Sequence, residues 1–222
     1  ARMDLDTTRT RTAYETIIAD FQAGRTDVLI GTQMVSKGLD FDRVSVVGIL
    51  NADSLLNYPD FRSYERAFQL MAQVAGRAGR KNRQGLVILQ TKSPDLPLIH
   101  QVVTNDYRQM YTEQLEERRL FNYPPFDRLV YVYLKHRKEE VVDQAASVLA
   151  GWLRSGMGEW ILGPDKPPVG RIQQLFIKKI VVKIAQGTSM TKVRSYLLQL
   201  QHALVEDERF RSLVVYYDVD PM

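Results

Sequence analysis

The sequence predicts an α/β protein in two parts, a layered domain around a parallel sheet and then a smaller α+β domain. Three observations carry this. Short apolar, β-branched runs at 27–31, 44–50 and 85–90 alternate with segments of helical periodicity, the rhythm of a parallel sheet flanked by helices. Tyr123-Pro124-Pro125-Phe126 breaks that rhythm, because two prolines stiffen the chain and cannot continue a helix. Beyond the break a second alternation runs strand, helix, strand, strand, helix, strand, which is the split βαβ, or ferredoxin-like, order. The predicted divisions are 1–122, a linker at 123–127, and 128–222.

Element by element, Thr7 to Gly24 reads as a helix with Ala13, Ile17, Ile18 and Phe21 on one side and a glycine where a C-cap is wanted. The runs at 27–31, 44–50 and 85–90 read as buried strands, the middle one covered on both faces. Residues 62–76 read as a helix with Ala67, Leu70, Met71 and Val74 inward, and two further helices fill 95–121. In the second part, 129–135 is a strand, with Leu129, Tyr131 and Tyr133 on one face, and 139–154 is a helix. Residues 160–164 are a short strand, 172–184 are extended, 189–204 are a helix and 213–219 are the closing strand.

Hydrophobic residues make up 45% and charged residues 25% of the 222, ordinary for a packed protein. No apolar run approaches the roughly 20 residues of a membrane span, and no signal peptide opens the chain. A cytoplasmic protein is expected. With no cysteine in the sequence, disulfides and thiolate metal sites are excluded. His100, His136 and His202 are expected on the surface, and no metal site is expected. The chain starts at Ala1 rather than Met, and a cut is the expected origin of that start.

The chemistry concentrates in Gln73-Val74-Ala75-Gly76-Arg77-Ala78-Gly79-Arg80. Two arginines three apart share one side of a helical turn. Gly76 and Gly79 clear space beside them, and guanidinium forks suit phosphate oxygens. Such a pair stabilises charge on a transferring phosphoryl group, as arginine fingers do. Some 40 residues upstream, Gly31-Thr32-Gln33-Met34-Val35-Ser36-Lys37-Gly38-Leu39-Asp40 follows a strand directly. It therefore sits at the carboxyl edge of a parallel sheet, where ligands bind. The spacing of that loop alone equally suits a structural connector with Asp40 capping a turn.

Thr32, Gly38 and Asp40 fit Thr-x5-Gly-x-Asp, and Gln73, Gly76, Arg77, Gly79 and Arg80 fit Gln-x2-Gly-Arg-x-Gly-Arg. Together these segments resemble motifs V and VI of superfamily 2 helicases. The resemblance implies a RecA-like second helicase lobe. It implies that Thr32 touches the bound strand's backbone and that Gly38 and Asp40 communicate with nucleotide. Gln73, Arg77 and Arg80 would face the ATP phosphates, with Gly76 and Gly79 leaving room. A wider set of segments, 2–8, 31–38, 51–54, 59–66, 73–80, 124–126 and 218–221, is similar to the PriA (primosomal protein N′) family. That implies a bacterial 3′-to-5′ DNA helicase for replication restart. Its implied partners are branched or single-stranded DNA, the single-stranded-DNA-binding protein and other primosome proteins. ATP and Mg2+ would be bound mainly by a first lobe, and zinc by cysteines upstream of Arg2.

The departures from the family matter as much. The sequence holds no Gly-x4-Gly-Lys-[Ser/Thr] phosphate loop and no Asp-Glu-x-His box. A C-terminal fragment is expected, its lobe incomplete at the N-terminus, binding no cofactor and inactive by itself. Two other readings stay open on the residues: a helicase-like lobe used as a nucleic-acid or protein-binding scaffold, and an RNA helicase.

Net charge is +4. From Lys166 to Val205 there is no acidic residue, against Lys166, Arg171, Lys178, Lys179, Lys183, Lys192 and Arg194. Alternation places Lys179 and Lys183 on one strand face, opposite Ile180, Val182 and Ile184. Arg171, Lys178, Lys179 and Lys183 are the predicted nucleic-acid contacts, through phosphates. The competing reading is a solvated face whose lysines blunt an edge strand. Tyr216 and Tyr217 are adjacent on a strand, so only one of them can face outward to stack a base.

Overall fold

The computed structural model describes residues 1–32, 41, 44–79 and 85–221. It divides into two compact units, Ala1–Gln114 and Leu115–Met222.

In the first unit, β1 (Arg2–Met3) leads into α1 (Arg11–Gln22). The helix opens at Thr10, whose hydroxyl accepts from the Ala13 N–H, and Gly24 follows its end at φ 73°. It starts later than the apolar spacing suggests. Asp4 accepts the N–H groups of Asp6 and Thr7, and a short carboxylate offering such bonds competes with helix formation. Tyr14, Ile17, Ile18 and Phe21 of α1 pack on Met3 and Phe41.

β1 pairs in parallel with β2 (Ile30–Gly31), and β3 (Val46–Ile49) with β4 (Leu86–Leu89). The parallel pairing agrees with the sequence; the burial does not. Ile30, Val46, Leu86 and Ile88 are all more than half exposed. Among the described residues each strand has one hydrogen-bonded neighbour, and β3 alternates between exposed and half-buried positions. The apolar content marks a strand but does not by itself supply a second covering layer.

The main core of this unit joins α2 (Asp53–Leu56), α3 (Ser63–Ala75), α4 (Pro97–Thr104) and α5 (Tyr107–Leu120). Phe68, Met71, Leu98 and Met110 are its largest buried members, each contributing about 1.5–3 kcal/mol of burial. Asp53 ties the carboxyl ends of β3 and β4 together, accepting from the Thr91 hydroxyl at 2.9 Å and the Lys92 N–H at 2.9 Å.

The second unit is a sheet with two helices on one face. β5 (Asp127–His136), α6 (Glu139–Met157), β6 (Ile161–Asp165), β7 (Arg171–Ile172), β8 (Leu175–Ala185), α7 (Met190–Glu206) and β9 (Val214–Val219) follow in order. The strands lie as β6-β8-β5-β9, with β7 folded back on β8, and every pair is antiparallel. This is the predicted split βαβ arrangement. Val142, Ala145, Ala146, Leu149 and Leu153 of α6 meet Val130, Val132 and Leu134 of β5 and Ile180, Val182 and Ile184 of β8. β6 bends at Gly163, at φ 89°, where a Cβ would lie 2.8 Å from the Lys179 carbonyl oxygen; only glycine fits there. The closing segment is tied down by Asp220, whose N–H donates to the Leu129 carbonyl and whose carboxylate accepts from Arg128 Nε at 3.0 Å.

No helix among the described residues is long and apolar enough to cross a membrane.

Candidate functional site

The last turn of α3 presents the first candidate. Gln73, in the last turn of α3, is exposed; Arg77 lies just past the Gly76 cap and is half-buried, its N–H donating to the Val74 carbonyl at 3.0 Å. Gly76 caps the helix in a right-handed conformation, at φ −65°. A Cβ there would make only ordinary contacts, 3.5 Å from the Ala72 carbonyl oxygen. The backbone does not require glycine at 76. Gly79 differs: its φ is 70°, and its N–H donates to the Val44 carbonyl at 3.2 Å, which anchors the turn to the strand side. Thr32 is exposed directly after β2. Arg80, Gly38 and Asp40 lie outside the described residues.

Beside Gln73 is an open cavity of about 600 Å³ lined by Ser54, Tyr58, Ser63, Arg66, Gln69 and Gln73, among others. At its rim, Asp60 accepts from the Arg62 N–H at 2.8 Å and Arg62 Nε at 3.2 Å, and holds Arg66 at 3.5 Å. Burial pushes the Asp60 carboxyl up, but hydrogen bonds from Arg62 and the charges of Arg62 and Arg66 outweigh it and leave it below the usual range. Arg66 was not among the residues picked from the sequence. Its signal was its spacing, seven residues before Gln73 on the same face of α3.

The predicted nucleic-acid contacts divide between the two faces of the second sheet. Lys179 and Lys183 share the face away from the helices, as alternation requires. Lys179 Nζ sits 4.5 Å above the Tyr131 ring. Lys183 is only 8% exposed; its ammonium donates to the Phe121 carbonyl at 2.6 Å and lies 4.1 Å above the Tyr123 ring. Burial lowers its pKa, with the Asp127 charge opposing. Lys178 points to the helix face and pairs with Asp143 of α6 at 3.0 Å. Arg171 stands opposite Phe176 in register and covers its ring at 4.7 Å, and Phe176 packs on the helix-side core.

Of the two adjacent tyrosines, Tyr217 turns inward. It packs on the core, donates to the Leu197 carbonyl at 3.2 Å, and is pushed up to about 12 by burial. Tyr216 turns outward and stacks on Tyr133.

Residues 3–82 match the helicase conserved C-terminal domain, and residues 119–222 match the primosomal protein N C-terminal domain. The chain is 37% identical over 222 residues to the replication restart protein PriA of Bacillus subtilis (strain 168), covering 99% of this chain and 27% of that protein. The chain belongs to the PriA family. It is also 42% identical over 185 residues to PriA of Synechocystis, covering 82% of this chain and 22% of that protein. Against PriA of Chlamydia pneumoniae it is 36% identical over 225 residues, covering 100% of this chain and 29% of that protein. The chain thus spans less than a third of the length of these PriA relatives. The residues present do not fit the zinc implied by the family, since there is no thiolate to hold it. Among the described residues no three His, Asp or Glu side chains gather at one point.

Proposed function

We propose that this chain is the C-terminal part of an ATP-dependent 3′-to-5′ DNA helicase that recognises abandoned replication forks and restarts replication in the bacterial cytoplasm. The observation that carries the reading is the end of α3. Gln73 stands in its last turn and Arg77 just past its cap, and between them Gly76 is a glycine that the backbone itself does not need. That arrangement offers fixed donors and permanent charge to a phosphoryl group. Arg80 completes the pair. ATP and Mg2+ would be held mainly by residues outside this sequence, which has no phosphate loop. What these residues supply is electrostatic stabilisation of the phosphates from across a cleft. Branched or single-stranded DNA, the single-stranded-DNA-binding protein and other primosome proteins are the proposed partners.

The test uses a full-length parent protein. Arg80→Ala and Arg77→Ala each lower ATP turnover by about 10³–10⁵, while affinity for forked DNA changes little. Unchanged turnover in both variants defeats the assignment.

A further inference from the structure

The helix-free face of the second sheet is built from side chains that the motor reading does not use. Tyr131, Tyr133 and Lys135 alternate along β5 with the core residues Val130, Val132 and Leu134. In register, Tyr133 stands between Lys179 on β8 and Tyr216 on β9. The Tyr133 and Tyr216 rings stack with centroids 4.8 Å apart and planes 11° apart. Tyr131 meets Tyr133 edge-on at 6.2 Å. Lys135 Nζ lies 4.5 Å above the Tyr216 ring, and Lys179 Nζ 4.5 Å above Tyr131. Tyr216 is the most open of the three rings, 38% exposed.

We propose that this face binds unpaired bases of single-stranded DNA by stacking, with Tyr216 as the outer platform and Lys135 as the phosphate contact. The inference rests on the reading of the chain as part of a DNA-acting protein. Aromatic rings on an open sheet accept any base by its π-face, and the Lys135 ammonium, which lies over the Tyr216 ring, is to give way to the base and reach the adjoining phosphate. The charges decide where the strand runs. Asp218 stands opposite Tyr131, and Asp165 opposite Lys179, so the Tyr131–Lys179 side is close to neutral. Lys135 faces Ile177 and Val214 in register, with no acid beside it on either neighbouring strand. Phosphate is therefore favoured at the Lys135 end, next to the open Tyr216 ring. Tyr133, the cross-strand neighbour of Tyr216, stacks against one side of its ring and holds its plane.

The experiment compares this 222-residue chain with its variants in binding an oligo(dT) strand, an abasic strand of equal length, and a forked duplex. The wild type is expected to prefer oligo(dT) over the abasic strand. Tyr216→Ala weakens oligo(dT) binding about fivefold or more, from the loss of one stacked base, and leaves abasic binding unchanged. Tyr216→Phe retains the preference, because the ring remains. Lys135→Ala reduces the slope of log affinity against log salt by about 0.7, one phosphate on a single strand. Equal binding of the two strands by the wild type, or equal loss on both with Tyr216→Ala, overturns the stacking site. If forked DNA still binds in that case, the broader reading stands. If none of the three DNAs binds, both fall. Melting curves of each variant separate a lost site from a lost fold.

Discussion

Lys183 shows how one residue's surroundings reassign it. Its position on the strand face, and the absence of nearby acids in sequence, marked it as a phosphate contact. The fold instead brings the Phe121 carbonyl and the Tyr123 ring onto its ammonium, which the spacing of Lys183 along its own strand could not reveal. Lys183→Ala is expected to cost about 1.5–3 kcal/mol, because it removes the charged donor of a hydrogen bond to the Phe121 carbonyl. Lys179→Ala, at a surface position, is expected to stay within about 0.5 kcal/mol. Thermal melting of the two variants decides this, and equal melting temperatures would return Lys183 to the surface class. Asp60 gives the fold a dependence on pH. Its folded pKa lies below 3.8, so its contribution is complete above that value and is lost as pH falls through the folded pKa. The stability gap between the parent chain and Asp60→Asn should be full near neutral pH and close in acid. A gap that does not depend on pH would show that Asp60 acts through packing rather than charge.

The elements that sequence predicted well are those whose signals are local. α3, α6 and α7 appear where apolar spacing places them, and α1 appears there but begins four residues late, because a helix satisfies its backbone within itself. The order of the split βαβ unit was legible for a similar reason: apolar runs mark its strands, and apolar residues at helical spacing mark α6 and α7 between them. The burial of β2, β3 and β4 was not legible, since it depends on which other elements lie against them. Nor could adjacency show which of Tyr216 and Tyr217 turns outward; only the phase of β9 against β5 fixes that. The end of α3 yields a prediction in which two glycines of one motif behave differently. Gly79 is at φ 70°, so Gly79→Ala costs about 1–2 kcal/mol of left-handed strain and lowers the melting temperature. Gly76→Ala meets only ordinary contacts and leaves stability near that of the parent. If the proposed site is correct, Gly76→Ala in a full-length protein should nonetheless slow ATP turnover, by filling space assigned there to the nucleotide. Comparable destabilisation by the two substitutions would make Gly76 a structural glycine and remove it from the site.

At the scale of the whole molecule, stability and chemistry are unevenly distributed. The second unit has one continuous core that includes fully buried Leu134, Leu149, Leu153, Ile180 and Leu204, and its two central strands, β5 and β8, are ten and eleven residues long. Among the described residues, the first unit has two smaller cores and strand pairs with exposed apolar side chains such as Ile30, Val46 and Leu86. Local opening is easiest where few apolar contacts cover the backbone hydrogen bonds. Hydrogen exchange of this chain should therefore be slowest in β5 and β8 and faster in β1 to β4. Uniform protection across both units would contradict that ranking. The arginine-bearing helix end belongs to the unit expected to be less protected, and the sequence holds no phosphate loop to grip the nucleotide that this end is proposed to face. A ligand stabilises a fold only to the extent that it binds the folded state. ATP with Mg2+ is thus expected neither to raise the chain's melting temperature nor to protect β1 to β4 from exchange, and forked DNA should elicit no ATP turnover. DNA-stimulated turnover by the purified chain would mean that a complete nucleotide site exists within these residues, and the assignment of Arg77 and Arg80 as one half of a divided site would have to be abandoned.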